Sequence, residues 1–229
     1  MRVLVACEES QAVTIEMRRL GHEAYSCDLQ ECSGGHPEWH VQGDCLKSLG
    51  GGCEIMTMDG TTHTIPGRWD MIIAHPPCTY LSNLGANHLY LGTERVTRQN
   101  DVFRLMNEDR VRSGIQARDF FLKMFNAPCA RVAVENPVPS SLWQLPKPSQ
   151  MIQPYFFGEP YKKKTYLWLR GLQPLMPTEL VEPTKLWVDG GHGKTTKMET
   201  FGFRDQKKRS KTFAGIAMAM AEQWAGDAT

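Results

Sequence analysis

Short apolar segments that alternate with stretches of helical spacing constrain the fold of this chain more than any other feature. The first segment, Arg2 to Cys7, is typical of a buried parallel strand. The stretch from Ser10 to Leu20 then places apolar residues at helical spacing and is followed by Gly21, a residue type that favours the end of a helix. Further strands are predicted at His22 to Cys27, Trp69 to Ala74, Arg131 to Glu135 and Thr165 to Leu169, and helices at about Val111 to Phe125 and at Lys211 to Trp224.

This alternation predicts an α/β fold with a doubly wound, mostly parallel sheet and helices on both of its faces. The chain has 229 residues, the length of one ordinary α/β domain, and 41% of them are hydrophobic, which is enough for a sizeable core. In such sheets ligands bind at the carboxyl ends of the strands. Polar or reactive residues follow four of the predicted strands directly: Glu8-Glu9, Asp28, Pro77-Cys78 and Glu135-Asn136. We therefore expect one crevice to contain all of them.

The charge balance excludes some classes of protein. Lys and Arg number 26 against 25 Asp and Glu, a formal net charge of +1, which excludes a histone-like polycation. Binding to nucleic acid would therefore depend on a local basic patch. No apolar run approaches the roughly 18 residues of a membrane-spanning helix, and the beginning of the sequence lacks the apolar region of a signal peptide. We expect a soluble, cytoplasmic monomer with no membrane partner.

The cysteines do not indicate a disulfide framework, because their number is odd (seven) and their spacing is irregular. Several of them lie with histidines in and around the stretch 31–43, which is expected to be a loop: Cys27, Cys32, His36, His40 and Cys45. Thiolates and imidazoles are ligands that Zn²⁺ prefers, but this spacing is not that of a zinc knuckle and no Cys-x-x-Cys pair occurs. We prefer a loop beside a cofactor, with no metal, and keep zinc as the alternative.

Two segments contain candidates for catalysis. Cys78 follows Pro76 and Pro77 at the end of a predicted strand, so that its thiol would be held on a stiff backbone. Glu135 ends another apolar strand, where a carboxylate is poorly placed for simple solvation. Taken singly, Cys78 could be a small buried hydrophobic residue and Glu135 a loop or capping acid. Together they form the pair of nucleophile and acid that covalent catalysis requires.

At these residues the sequence resembles the cytosine-C5 DNA methyltransferases, which use S-adenosylmethionine. Pro77-Cys78 is similar to the Pro-Cys motif of that family, and Glu135-Asn136 is similar to its Glu-Asn-Val motif, with Pro137 in place of Val. The segment from Phe157 to Leu167 is similar to the family's Tyr-Gly-Val-Pro-Gln-x-Arg-x-Arg segment, and Thr212 to Ala217 to its last motif. The order of the motifs and their placement on strands agree over most of the chain.

The sequence also departs from the family. The Phe-x-Gly-x-Gly cofactor loop would fall at Ala6 to Ser10, which contains no glycine, and the last motif lacks its Asn. Tyr161, Lys163 and Thr165 occupy the Gln-x-Arg-x-Arg positions, so that only Lys163 keeps a cation. Only a short segment remains for target recognition. The resemblance implies a catalytic domain at 1–171, a short variable region at 172–210 and a C-terminal helix at 211–229, in a compact and divergent relative of the type that phages or prophages encode.

The resemblance implies methyl transfer from S-adenosylmethionine to C5 of cytosine in DNA, on a class I S-adenosylmethionine-dependent methyltransferase fold. Cys78 would add to C6 of the ring, Glu135 would bind N3 and the exocyclic amine, Asn136 would fix the loop, and Lys163 would supply a positive charge. Two alternatives remain. The substrate could instead be a pyrimidine nucleotide or single-stranded nucleic acid, or the chain could be a catalytically silent protein that binds nucleic acid with the same fold.

The resemblance also assigns binding residues. Asp28 would bind the ribose of the cofactor, and Asp44 would bind its adenine amine. The segment Cys7, Glu8, Glu9, Ser10 and Gln11 would bind its amino-acid end from the start of a helix, with Pro76 beside it. Without the fold, both aspartates would be interpreted as solvated loop acids. The basic residues expected to contact DNA are Lys162, Lys164, Lys207, Lys208 and Arg209.

Overall fold

The computed structural model describes residues 1–90, 106–186, 199–200 and 210–227. The helices are α1 (Ala12–Arg19), α2 (Glu108–Phe125) and α3 (Ala214–Trp224). The strands are β1 (Arg2–Ala6), β2 (Glu23–Asp28), β3 (His40–Gln42), β4 (Cys53–Met56), β5 (Thr62–Ile65), β6 (Met71–Ala74), β7 (Val132–Pro137), β8 (Gln150–Ile152), β9 (Tyr161–Lys162), β10 (Thr165–Arg170), β11 (Lys185–Leu186) and β12 (Glu199–Thr200).

Seven of the strands form one central sheet in the order β3-β2-β1-β6-β7-β10-β8. The first five strands in this order are parallel to one another, whereas β10 is antiparallel to both of its neighbours, β7 and β8. The fold class predicted from the sequence is therefore confirmed: the chain has an α/β fold with a doubly wound, mostly parallel sheet. Two smaller sheets accompany it, the hairpin β4–β5 and the three-stranded sheet β12-β11-β9.

Both faces of the central sheet are covered, because successive strand residues point to opposite sides. Val3 and Val5 of β1 pack on one side, in a core that also contains buried residues of α1 and α3. Leu4 and Ala6 pack on the other side, with the buried face of α2. Helices α1 and α3 lie together and are joined at their surface by an ion pair between Arg19 and Glu222, 3.1 Å long.

The strand order places a topological switch point at the centre of the sheet. From β1 the order proceeds to β2 and β3 on one side and to β6 and β7 on the other, so the connections diverge at the carboxyl ends of β1 and β6. Ala6 and Ala74, the last residues of these two strands, lie opposite each other in the register. The backbone N–H of His75 donates to the Ala6 carbonyl oxygen at 2.9 Å and continues this pairing. Ligands of doubly wound sheets bind at such a switch point.

Several boundaries differ from the sequence-based prediction. The stretch expected to be a loop contains β3, which pairs with β2; three residues without an apolar run give no strand signal of their own. Helix α1 begins at Ala12, because the preceding Gln11 has a left-handed backbone with φ of 59°. Helix α3 begins at Ala214, because Phe213 before it is extended. The hairpin β4–β5 was not predicted.

The structure also bears on the predictions about disulfides, membrane-spanning helices and domain boundaries. All seven cysteines lie in the described residues, and none of them forms a disulfide. No helix in the described parts of the chain is both long and apolar enough to span a bilayer. Strands β11 and β12 of the expected variable region pair beside β9, and the domain boundaries at 171 and 210 stay predictions.

A close approach between α3 and the chain before β9 gives a test of this packing. Gly215 lies against the backbone of Phe157, and a Cβ at Gly215 would overlap the Phe157 carbonyl oxygen. We expect Gly215→Ala to lower the free energy of unfolding by about 1–3 kcal/mol, because the clash outweighs the gain in helix propensity of about 1 kcal/mol. Urea denaturation followed by circular dichroism measures this.

The matched control is Gly50→Ala. A Cβ at Gly50 would have no atom within 4 Å, so that this variant should unfold within about 0.5 kcal/mol of the wild type. Equal stability of the two variants would contradict the close packing of α3 on Phe157.

Candidate active site

The chain leaves β6 through His75, Pro76 and Pro77 and reaches Cys78, which is half-buried. The carbonyl oxygen of Cys78 accepts hydrogen bonds from the backbone N–H groups of Leu81 at 3.1 Å and Ser82 at 2.9 Å. Cys78 therefore begins a tight turn at the carboxyl edge of the sheet. The two prolines before it and the turn after it restrict the backbone on both sides of the thiol.

The loop that bears Cys78 is bonded to the end of β7. The side chain of Asn136, which is only 1% exposed, donates from Nδ2 to the Pro76 carbonyl oxygen at 2.9 Å. Farther along, the backbone N–H of Asn83 donates to the Val138 carbonyl at 2.8 Å, and that of Ser140 to the Leu81 carbonyl at 2.8 Å. The residues predicted from the Pro-Cys and Glu-Asn motifs thus lie on the loop after β6 and at the end of β7, which are held side by side.

Glu135 is buried beside His75. The side chains of His75 and Glu135 are 8% and 14% exposed, and His75 Nδ1 lies 3.2 Å from Glu135 Oε2. Burial acts to raise the pKa of Glu135, but the hydrogen bond with His75 and the positive charge of Lys163 outweigh it, and the pKa lies below its usual value. Glu135 is therefore a buried carboxylate that keeps its negative charge at neutral pH, and the carboxylate accepts the Nδ1–H of His75.

Lys163 approaches the same carboxylate from the segment between β9 and β10. Its Nζ lies 5.6 Å from the centre of the Phe213 ring, and its charge lowers the pKa of Glu135. Lys163 is half-buried, whereas Lys162 and Lys164 on either side of it are exposed, as the alternation of an extended chain requires. The structure thus brings Lys163 together with Glu135 and leaves its two neighbours facing solvent.

His75 is the residue of this site that the sequence analysis missed. The register pairs Ala74 with Val134, so the next residues of the two strands, His75 and Glu135, lie side by side. A titratable residue directly before the Pro-Pro-Cys segment is a sequence signal for a further site residue. Its pairing with Glu135 depends on the register between β6 and β7, which is a property of the sheet and cannot be obtained from either segment alone.

Glu8 holds the start of α1. One of its oxygens accepts the backbone N–H of Val13 at 2.6 Å, and the other accepts the N–H of Thr14 at 3.2 Å and its hydroxyl at 2.7 Å. Burial raises the pKa of this carboxyl, although the charge of His75 and the bonds to Thr14 and Val13 act in the opposite direction. The N–H groups of Val13 and Thr14 are consequently used within the chain and are not open to the carboxylate of a cofactor.

The rest of the predicted cofactor segment forms a turn without glycine. Cys7 and Gln11 adopt left-handed backbones with φ of 60° and 59°, a conformation for which glycine is the usual residue. The Gln11 side chain fixes the neighbouring loop, since its Oε1 accepts the His36 N–H at 3.1 Å and its Nε2 donates to the His36 carbonyl at 2.8 Å. The carbonyl of the buried Glu9 accepts the N–H of Ser33 at 2.8 Å, and Ser10 between them is half-buried.

Asp28 and Asp44 lie together beyond β2 and β3. Asp28 Oδ1 accepts the N–H of Gln30 at 2.9 Å, and Asp44 Oδ1 accepts that of Leu46 at 3.0 Å. Burial, the neighbouring Cys45 and the charge of Asp28 raise the pKa of Cys27 to about 12, with a smaller contribution from Asp44. Each aspartate uses Oδ1 to hold its turn. A carboxylate at the end of β2 and a second one nearby fit the ribose hydroxyls and the amine of a nucleoside.

Several of the cysteines and histidines near Asp28 and Asp44 contact one another or other residues of the chain. Sγ of Cys7 lies 3.7 Å from Sγ of Cys45. Both ring nitrogens of His40 have partners, the Ser26 hydroxyl at 2.8 Å and the Gln30 carbonyl at 2.9 Å. Across the described residues, no group of three or more His, Cys, Asp or Glu side chains is arranged to hold a metal ion. The geometry thus gives the alternative of a zinc site no support.

The structure describes two of the five basic residues that were predicted to contact nucleic acid. Lys162 and Lys164 are exposed beside the site. Lys207, Lys208 and Arg209 lie outside the described residues.

Comparisons with known proteins add little. No family model matches the chain, and no curated protein sequence matches it. Among solved structures, the fold is similar to the crystal structure of a protein provisionally described as a DNA modification methyltransferase encoded within a prophage (E. coli), with a TM-score of 0.45 and 12% identity. The match covers 80% of this chain and 52% of that protein, so that the chain spans about half the length of this neighbour. Similarity at this level does not establish a shared function.

The carboxylate at the start of α1 generates a prediction about stability. We expect Glu8→Ala to lower the free energy of unfolding by about 2 kcal/mol, because the first turn of α1 loses the acceptor for two backbone N–H groups and one hydroxyl. Thermal and urea denaturation measure the loss. Glu8→Gln retains one acceptor oxygen, so that its free energy of unfolding should lie between that of the wild type and that of Glu8→Ala.

Glu31→Ala is the control, because Glu31 is an exposed acid on the neighbouring loop. It should leave stability within about 0.5 kcal/mol of the wild type. A Glu8→Ala protein as stable as Glu31→Ala would show that Glu8 does not hold the helix.

Proposed function

We propose that this chain transfers a methyl group from S-adenosylmethionine to C5 of cytosine in DNA, through a transient bond between Sγ of Cys78 and C6 of the ring. The observation that supports this most is the bonding of the Cys78 loop to the end of β7 through Asn136 and Pro76. A constrained thiol and a buried carboxylate thereby lie on a loop and on the adjacent strand end, at the carboxyl edge of a doubly wound sheet, where ligands of such sheets bind.

The chemistry explains why both groups are needed. C5 of cytosine is too weak a nucleophile to take a methyl group unaided. Addition of the Cys78 thiolate at C6 pushes the π electrons of the C5–C6 bond into the ring, and C5 becomes an enamine carbon. Glu135 binds the opposite edge of the base: one carboxylate oxygen accepts the exocyclic amine, and a proton held between the other oxygen and N3 stabilises the charge that develops there. After C5 has taken the methyl group, loss of the C5 proton to water or hydroxide and elimination of the thiolate release the product.

The other residues of the site position these two. Asn136 fixes the Pro76–Cys78 loop against β7, and Lys163 supports the negative charge on Glu135. The cofactor supplies an electrophilic methyl group when it is bound. Asp28 would bind its ribose hydroxyls and Asp44 its adenine amine, with the segment Cys7 to Gln11 and Pro76 lining the switch point. Within that segment Glu8 acts indirectly, by fixing the start of α1.

The proposed partner is DNA, bound by a cytoplasmic monomer of the kind that a phage or prophage encodes. A base inside a duplex cannot reach the crevice, so the target cytosine has to rotate out of the stack, at a cost of a few kcal/mol. Exposed Lys162 and Lys164 flank Lys163 and are suited to phosphate contacts on either side of that base. Lys207, Lys208 and Arg209 are proposed to extend this surface.

Transfer of a labelled methyl group to cytosine tests the proposal. We expect the wild type to label C5 of cytosine in double-stranded DNA and to release tritium from C5-tritiated cytosine. Cys78→Ser should reduce both signals by at least about 1000-fold, because the nucleophile is lost. Cys53→Ser is the control: Cys53 belongs to the hairpin β4–β5, which is a separate sheet from the one that bears the Cys78 loop, and the variant should keep wild-type turnover.

The same assay separates the alternatives. Labelling of free deoxycytidine monophosphate or of single-stranded DNA in preference to duplex would replace the proposed substrate. Binding of DNA with no transfer to any pyrimidine would support a catalytically silent binding protein and contradict the proposed reaction.

The exposed lysines generate a prediction about binding. We expect Lys162→Ala and Lys164→Ala each to weaken DNA binding and to reduce the slope of log K against log salt concentration by about 1, because each removes one phosphate contact. Fluorescence anisotropy over a range of salt concentrations measures both quantities.

Lys123→Ala is the matched control. Lys123 is equally exposed but lies in the last turn of α2, whose end leads to the start of β7 at the opposite edge of the sheet. It should leave the affinity and the slope unchanged. Equal effects of Lys123→Ala and Lys162→Ala would remove the surface beside β9 from the interface.

A further inference from the structure

His75 is a buried imidazole in the middle of the site, and the family resemblance assigns it no role. Its Nδ1 is 3.2 Å from Glu135 Oε2, and its side chain is 8% exposed. The other ring nitrogen, Nε2, is buried and has no hydrogen-bond partner among the described residues. Burying a polar atom without a partner costs free energy, so that an apolar residue would serve packing better at this position. Packing alone therefore does not account for a histidine at position 75.

Charged groups face His75 from each neighbouring element. Glu135 lies beside it on β7, and Glu8 approaches from the turn after β1 closely enough for the charge of His75 to lower the pKa of Glu8. Lys163, before β10, acts on Glu135 from another direction. Cys78 lies three residues further along the same loop. The imidazole therefore lies between two carboxylates and contacts one of them directly, a position from which it can pass a proton to Glu135.

The proposed reaction creates a need for such a proton. N3 of neutral cytosine is a hydrogen-bond acceptor, and the charge that builds up when a thiolate adds at C6 is relieved by protonation of N3. Glu135 keeps its negative charge, so that it has no proton of its own to give. Histidine is the side chain whose ordinary pKa allows it to gain and lose a proton near neutral pH. His75 is bonded to the carboxylate oxygen that needs the proton.

We propose that His75 and Glu135 form a proton relay to N3 of the target cytosine, with His75 as a positioning residue that acts through Glu135. As Sγ of Cys78 bonds to C6, the Glu135 carboxylate takes the Nδ1 proton of the imidazolium and passes a proton to N3. The carboxylate is thus regenerated and His75 becomes neutral. When the C6–S bond breaks, the N3 proton returns by the same route and restores the relay, whereas the C5 proton that the methyl group replaces leaves to water. This inference rests on the proposed function.

The pairing of His75 with Glu135 can be tested without turnover. We expect ¹H–¹⁵N spectra of the histidine rings to show a downfield Nδ1–H signal of His75 that moves upfield in Glu135→Gln, because the N–H loses its charged acceptor. Glu31→Gln, a change at an exposed acid outside the site, should leave the signal unchanged. A His75 signal that is the same in the wild type and in Glu135→Gln would overturn the relay.

The second measurement separates proton transfer from a structural hydrogen bond. Asparagine can donate from about the position of Nδ1 but does not titrate. We expect His75→Asn to lower kcat by about 100-fold or more with KM changed less than about 3-fold. The dependence of kcat on pH should also differ between the wild type and His75→Asn, because only the imidazole can pass a proton to Glu135. Wild-type kcat with an unchanged pH profile in His75→Asn would overturn the proposal.

Controls make the result specific. His63→Asn changes a half-buried histidine of the hairpin β4–β5 and should keep the wild-type profile. If the wild type transfers no methyl group, the proposed function fails and the relay to N3 fails with it. The ring spectra of Glu135→Gln would still show whether the two side chains share a proton, so that the two failures are distinguishable.

Discussion

The hydrogen bond from the Asn136 amide to the Pro76 carbonyl oxygen, 2.9 Å long and buried, is the interaction on which the rest of the site depends. Pro76 and Pro77 have no N–H, so that this part of the loop cannot be held by its own backbone donors. An amide from the adjacent strand end holds it instead, and backbone bonds from Asn83 to Val138 continue the contact. Because a buried carbonyl without this donor would cost about 1–3 kcal/mol, Cys78 is kept beside the strand that bears Glu135.

The charges around Glu135 determine its ionisation and therefore the chemistry that the site can perform. Glu135 would be costly to bury alone, and His75 and Lys163 together keep it ionised. The same imidazole lies within the electrostatic reach of Glu8, whose carboxylate is used to hold α1. One histidine therefore links the turn after β1, which is proposed to bind the cofactor, with the end of β7, which is proposed to bind the base. A polar network of this kind needs every member in place, which accounts for the tight bonding of both loops.

The sequence allowed the prediction of the features that local pattern determines. The alternation of apolar and helical segments predicted the sheet and its helices, and strand ends predicted where Cys78, Glu135 and Asp28 would lie. The features that the sequence did not predict depend on pairing between distant segments. Strand β3 forms because it pairs with β2, and His75 lies beside Glu135 because of the register between β6 and β7. The use of Glu8 as a helix cap and the left-handed backbones of Cys7 and Gln11, in a turn without glycine, are likewise tertiary properties.

The most direct measurement of the central claim is peptide mapping of the protein after reaction with an oligonucleotide that contains 5-fluoro-2′-deoxycytidine and with S-adenosylmethionine. Fluorine at C5 cannot leave as a proton does, so that an enzyme which adds a thiolate at C6 is trapped on the base. The account predicts that the peptide containing Cys78 carries the mass of the methylated, fluorinated nucleotide. Absence of any adduct, or an adduct on another of the seven cysteines, would contradict it.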